Sequence, residues 1–122
     1  MFLFDTNVLI YYRAGRKEVV NFIEKHKEGL FFIPTIVIAE FLSYPLIDKE
    51  TIAKFEELLK ELIIVNLDET IAKEAANLRR RYKIKLYDAI IAASCIISGA
   101  TLLTYNLRDF KKIKELKIIK PE

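Results

Sequence analysis

Met1-Phe2-Leu3-Phe4-Asp5-Thr6-Asn7-Val8-Leu9-Ile10 is the stretch that decides the fold. Phe2–Phe4 is apolar without a break. It reads as a short strand covered on both faces rather than an alternating strand with one wet face. Asp5 ends the run, and Val8–Tyr12 reads as a helical turn that breaks near Gly15. The same handover from apolar run to helix recurs along the chain. Glu18–Lys27 has helical spacing through Val19, Phe22 and Ile23, and Gly29 stops it. Leu30–Ile33 is a second strand, and Pro34-Thr35 opens a helix to about Ser43. Asp48 is an N-cap for a helix to about Lys60, and Leu62–Val65 is a third strand. Asp68 caps a helix to about Tyr82. Tyr87–Ser98 is a helix apolar nearly all round, hence buried, with Gly99 as its stop. Thr101–Thr104 is a fourth strand, Leu107–Lys112 a helical turn and Leu116–Ile119 a fifth strand. Strands that alternate with helices predict an α/β fold: residues 1–122 as one domain, with a central parallel sheet of four to five strands and helices on both faces.

Composition narrows the function classes. The 52% hydrophobic content supplies one core, and the 30% charged content supplies a polar surface. Net charge is +3, compatible with an anionic partner without requiring one. The cations are clustered. Arg79-Arg80-Arg81-Tyr82-Lys83-Ile84-Lys85 holds five in seven residues, Arg13, Arg16 and Lys17 form a second group, and Lys111, Lys112 and Lys114 a third. Taken singly, each group reads as a solvated helix end or loop. The single cysteine, Cys95, excludes an internal disulfide; in its apolar helix it reads as packing, and its usage fits a reducing cytoplasm. The apolar N-terminus has no basic segment before it and is interrupted by Asp5, so it does not read as a signal peptide. No apolar run is long enough to span a bilayer.

Three carboxylates lie inside the most apolar stretches: Asp5, Glu40 in Ile36-Val-Ile-Ala-Glu40-Phe-Leu, and Asp88 in Asp88-Ala-Ile-Ile-Ala-Ala-Ser-Cys-Ile-Ile. No Lys or Arg occurs within any of them. An unpaired buried carboxylate costs several kcal/mol, so each needs compensation. A shared divalent cation is the economical answer. In a doubly wound sheet, ligands bind beyond the carboxyl ends of strands where the strand order reverses. Asp5, Thr104 and Asn106 are at such ends, and Asp88 is in the first turn of its helix. Acids without His or Cys select a hard cation, Mg²⁺ or Mn²⁺, over zinc. Such ions suit phosphodiester hydrolysis. Each acid also has a plainer reading: Asp5 as a cap, Asp88 as a partner of the helix dipole, Asp109 as an exposed loop acid, Glu40 as a solvated side chain.

Four blocks taken together resemble the signature of the PIN-domain family: Phe4-Asp5-Thr6-Asn7-Val8-Leu9-Ile10, Ile38-Ala39-Glu40, Tyr87-Asp88-Ala89-Ile90-Ile91-Ala92-Ala93 and Leu103-Thr104-Tyr105-Asn106-Leu107-Arg108-Asp109-Phe110. They span essentially the whole chain in order. The small size is similar to the VapC-like toxins of toxin–antitoxin pairs. The resemblance implies a metal-dependent endoribonuclease in which Asp5, Glu40 and Asp88 hold Mg²⁺ or Mn²⁺, supported by Thr6, Asn7 and Thr104. The fourth acidic position falls at Asp109 or at Asn106. It further implies an RNA substrate, a homodimer and a small antitoxin protein as partner. The abundance of apolar residues suggests more hydrophobic surface than one small core absorbs, and Ile36, Phe41, Tyr44 and Leu46, near the Glu40 helix, are the candidate docking residues. The rival readings are a non-catalytic nucleic-acid-binding or assembly module on the same fold, and a phosphatase or DNA-directed nuclease using the same ions. His26 reads as a solvated surface residue, and Tyr11, Tyr12 and Tyr82 as rim or core packing.

Overall fold

Strand β1 (Phe2–Phe4) sits at the centre of the molecule, because the sheet order is β3-β2-β1-β4-β5. The computed structural model describes residues 1–122. After β1 come α1 (Thr6–Arg13), α2 (Lys17–Lys25), β2 (Phe31–Pro34), α3 (Thr35–Leu42), α4 (Lys49–Leu59), β3 (Ile63–Val65), α5 (Glu69–Tyr82), α6 (Leu86–Ser98), β4 (Thr101–Leu103), α7 (Leu107–Phe110) and β5 (Ile118–Ile119). Every strand pair is parallel. The chain runs from β1 out to β3 on one side, then returns to lay β4 on the other side of β1. The expected α/β architecture is therefore present, with the strand order reversing between β1 and β4.

Continuous apolar runs place residues in the core, as two covered faces require. Leu3, Leu9, Ile33, Leu102 and Leu103 are wholly buried. Helix α6 buries Ala89, Ile91, Ala92, Ala93 and Cys95 completely, and α5 and α6 pack more extensively than any other pair of elements. Small residues on α6 allow that close approach. The Cys95 thiol donates to the Ala100 carbonyl, and burial pushes it up to about 12, so it is held as an inert thiol. The expected caps form. Asp48 accepts from the Thr51 amide at 2.7 Å and Asp68 from the Ile71 amide at 2.9 Å. Gly99 ends α6 with φ at +69°, a backbone state that glycine adopts without penalty.

Three expectations change. The turn at Val8–Tyr12 is a full helix that begins at Thr6, because Asp5 caps it. β3 is an edge strand, and Ile63 and Ile64 are exposed rather than covered on both faces. His26 is not a freely solvated residue: its ring stacks on Phe22, meets Phe2 edge-on, and its Nδ1 lies 2.8 Å from the Phe22 carbonyl oxygen. Tyr11 packs edge-on against Tyr105 beneath the Arg16 guanidinium, in keeping with a rim role. No helix is long and apolar enough to cross a membrane.

Candidate active site

The parallel register sets Phe2 beside Thr101, Leu3 beside Leu102 and Phe4 beside Leu103. The next residues, Asp5 and Thr104, therefore leave the sheet side by side at the point where the strand order reverses. The Asp5 amide donates to the Leu103 carbonyl at 3.1 Å. Both oxygens of the Asp5 carboxylate are engaged. Oδ1 accepts from the Thr6 amide at 2.8 Å and Oδ2 from the Thr104 hydroxyl at 2.7 Å. The Thr104 hydroxyl in turn accepts from the Asn106 amide at 2.9 Å, so its direction toward Asp5 is fixed. Asp5 is thus at once the cap of α1 and a rigidly aimed carboxylate; the two readings of this residue are compatible.

A cleft of about 330 Å³ opens above this pair. Asp5, Glu40, Asp88 and Asp109 all line it, together with Thr6, Asn7 and Asn106. Thr104 is wholly buried beneath it. Four separate segments thus deliver four acids to one place. Asp88 projects from the first turn of α6, whose positive dipole end favours an anion. Asn106 caps α7, with its Nδ2 donating to Asp109 Oδ2 at 3.2 Å. Asn106 and Asp109 therefore line the cleft together, bonded to each other.

The acids sense one another. Burial raises Asp5 above its ordinary value, against the bonds from Thr104 and Thr6, and the Glu40 charge adds to the rise. Burial also raises Asp88; the Asp5, Asp109 and Glu40 charges push the same way, and Lys85 opposes them. Only Asp5 is deeply buried, at 8% exposed. Asp88 and Asp109 are half-buried, and Glu40 is exposed, which corrects the expectation of three buried carboxylates. Val37 and Phe41 turn into the core from α3, leaving Glu40 on the open face. No set of three His, Cys, Asp or Glu side chains is arranged to hold an ion by itself. A closed ligand cage is therefore absent, and the donor set fits a hard, hydrated cation that needs only one or two carboxylates and keeps its waters.

Two lining residues carried no individual role in the sequence reading. The Tyr87 hydroxyl lies 2.6 Å from Thr6 Oγ1, and burial, followed by the Glu40 charge, raises the phenol well above its ordinary value while the Thr6 bond opposes. It remains a neutral hydroxyl over the whole working range. Lys85 is the one cation in the cleft wall. The adjacency of Tyr87 to Asp88 in a first helical turn was the available signal for the tyrosine; the contact with Thr6 was not readable.

The PIN domain family model matches residues 2–116. The chain belongs to the PIN domain family. As a PIN domain it is similar to Ribonuclease VapC2 of Methanocaldococcus jannaschii, at 30% identity over 95% of this chain and 91% of the relative. It is similar also to Ribonuclease VapC1 of Rickettsia felis, at 29% identity over 96% of this chain and 93% of the relative. Among solved structures, a toxin–antitoxin complex from Klebsiella pneumoniae superposes with a TM-score of 0.86 at 30% identity, covering 100% of this PIN domain and 98% of that chain.

Proposed function

We propose that this chain is a VapC-like toxin ribonuclease that hydrolyses phosphodiester bonds in RNA with Mg²⁺ or Mn²⁺. The observation that carries the reading is the convergence of Asp5, Glu40, Asp88 and Asp109 in one cleft at the reversal of the strand order. Ribonuclease relatives and a toxin–antitoxin neighbour, each matched over nearly the whole chain, support it. Asp5, Asp88 and Glu40 would hold the cation, directly or through water. When bound, a hard divalent ion polarises a phosphoryl oxygen, lowers the pKa of water and offsets charge on the leaving oxygen.

The chain's own residues organise that chemistry. Thr104 and the Thr6 amide hold both Asp5 oxygens, so the carboxylate needs no reorganisation when substrate arrives. Asn106 orients Asp109, and Asn7 and the Tyr87–Thr6 hydroxyl pair present polar groups to the substrate. Incubation of single-stranded RNA with and without Mn²⁺, and with EDTA, tests the assignment: cleavage must require the ion. Thr104→Val, which keeps the shape and removes the hydroxyl, is expected to lower cleavage about 10–100-fold, the usual cost of deleting the partner that orients a ligand group. A wild-type rate in that variant contradicts the positioning role.

The toxin reading brings an antitoxin and a homodimer. A groove of about 720 Å³ adjoins the acidic cleft, with Ile10, Phe41, Tyr44 and Ile47 in its apolar wall. Tyr44 and Leu46 are 60% and 81% exposed, as docking residues must be. Phe41 is not one of them in the same sense: it is buried and stacked on Phe55 with ring centroids 4.1 Å apart. Ile36 is half-buried. Light scattering is expected to give a dimer at micromolar concentration, and Leu46→Glu to shift it toward monomer; a strict wild-type monomer removes the dimer from the proposal.

A further inference from the structure

A second, smaller cavity of about 160 Å³ opens off the acidic cleft and shares Lys85, Asp88 and Asp109 with it. Its other polar walls are Lys83 and Lys112. Two of the basic clusters in the sequence thus meet at the candidate active site. The first cluster divides. Arg81 is spent on Glu115, with Nη1 to Oε2 at 2.6 Å, whereas Lys83, Lys85 and Lys112 take part in none of the chain's six ion pairs. Buried Ile84 anchors the link between α5 and α6 and holds the two flanking lysines at the cavity.

Both lysines on this link break a local rule. Lys83 ends α5 with φ at +54°, and it is the one residue other than glycine with positive φ in the chain. Glycine or asparagine is the ordinary choice there. Lys85 is the N-cap of α6 and makes no side-chain cap bond. Ser, Thr, Asp or Asn is the ordinary choice at that position, and a cation at the positive end of a helix is unfavourable. Local rules broken at two neighbouring positions beside one cleft point to a functional demand on those residues. Charge is what the two substitutes share.

We infer that Lys83, Lys85 and Lys112 form a subsite for a backbone phosphate of the RNA strand, next to the bond cleaved in the acidic cleft. The inference rests on the nuclease reading and deepens it. A carboxylate cleft repels a polyanion, and three cations at its mouth supply local attraction that fixes the strand's position. Phosphate contacts carry no base information, so the subsite adds affinity without sequence preference.

The test uses the full chain carrying Asp5→Asn, which keeps the RNA intact, and a fluorescein-labelled single-stranded RNA of mixed sequence. Affinity is measured by anisotropy across a salt series in Mn²⁺. Lys83→Gly, Lys85→Ser and Lys112→Ala are each expected to weaken binding about two- to fivefold, the size of an exposed ion pair. Each should make the slope of log affinity against log salt shallower by about 0.7. Lys83→Gly should raise the melting temperature at the same time, because it restores the ordinary residue at a left-handed backbone position. Lys85→Ser gains a cap but loses the cation that opposes the acids, so its melting temperature is not the readout. Loss of binding in a more stable protein is a result no structural role produces. Unchanged affinity and salt slope in all three variants, with the wild-type site still cleaving RNA in Mn²⁺, overturn the subsite and leave the nuclease reading intact. An Asp5→Asn protein that does not bind RNA, together with a wild type that does not cleave it, overturns both.

Discussion

Asp5→Asn protein is expected to lose more than about 100-fold of its RNA-cleaving activity in Mn²⁺ while keeping the wild-type fold. The lower bound follows from comparison: removing a group that merely orients a ligand costs about 10–100-fold, and Asp5 is the group being oriented. Its Oδ2 is the acceptor of the Thr104 hydroxyl and its Oδ1 the acceptor of the Thr6 amide. An asparagine keeps one of these bonds through its carbonyl oxygen and turns an NH₂ toward the other partner. The Thr104 hydroxyl can accept that proton, since a hydroxyl both donates and accepts. The shape of the cap survives and the charge does not. Far-ultraviolet circular dichroism, a melting curve and a gel assay on the same preparation separate the outcomes. Cleavage at the wild-type rate means that Asp5 is only the cap of α1.

Asp5 and Thr104 were legible in the sequence because each ends an apolar run. A strand end is a local signal, and parallel pairing of two such runs brings their ends level without further information. Asp88 was legible for a related reason, as the first-turn acid of a helix otherwise apolar on every side. Glu40 stands out in the sequence for a reason the structure only half supports. Its neighbours Ile38, Ala39, Phe41 and Leu42 are all apolar, so the sequence does not tell one face from another and reads the residue as buried. In this eight-residue helix only Val37 and Phe41 are fully buried, and Glu40 lies on the open face. The same ambiguity hid the edge position of β3, since an apolar strand at the rim reads like one at the centre. Tyr87 needed a contact across 81 residues, which no periodicity encodes. Lys83 needed a left-handed backbone with no glycine to announce it.

Adding Mn²⁺ is expected to raise the melting temperature of the wild type, and Asp88→Asn to diminish that gain while melting at or above the wild-type temperature in EDTA. Without a cation, Asp88 faces Asp5, Asp109 and Glu40, and only Lys85 opposes them. Raised carboxyls mean that the folded chain binds protons more tightly than the unfolded chain. Stability attributable to Asp5 and Asp88 therefore falls as pH climbs from the ordinary carboxylate value through the raised one, and the full cost is present at neutral pH. Asp88→Asn removes one charge from the cluster. The helix dipole loses a favourable partner worth about 0.3–1 kcal/mol, which limits the gain. No cap is lost, because Lys85 and not Asp88 occupies the N-cap. A cation binding only the folded state adds roughly 2.7 kcal/mol at a hundredfold excess over Kd. For a domain of this size that is a rise of roughly 10 °C. The gain should shrink as pH is lowered toward the carboxylate range, where protons compete for the same oxygens. Melting curves of both proteins in EDTA and in Mn²⁺, at neutral and acidic pH, measure every arm. A variant that melts lower in EDTA and gains as much from Mn²⁺ as the wild type makes Asp88 a structural residue and moves the cation elsewhere.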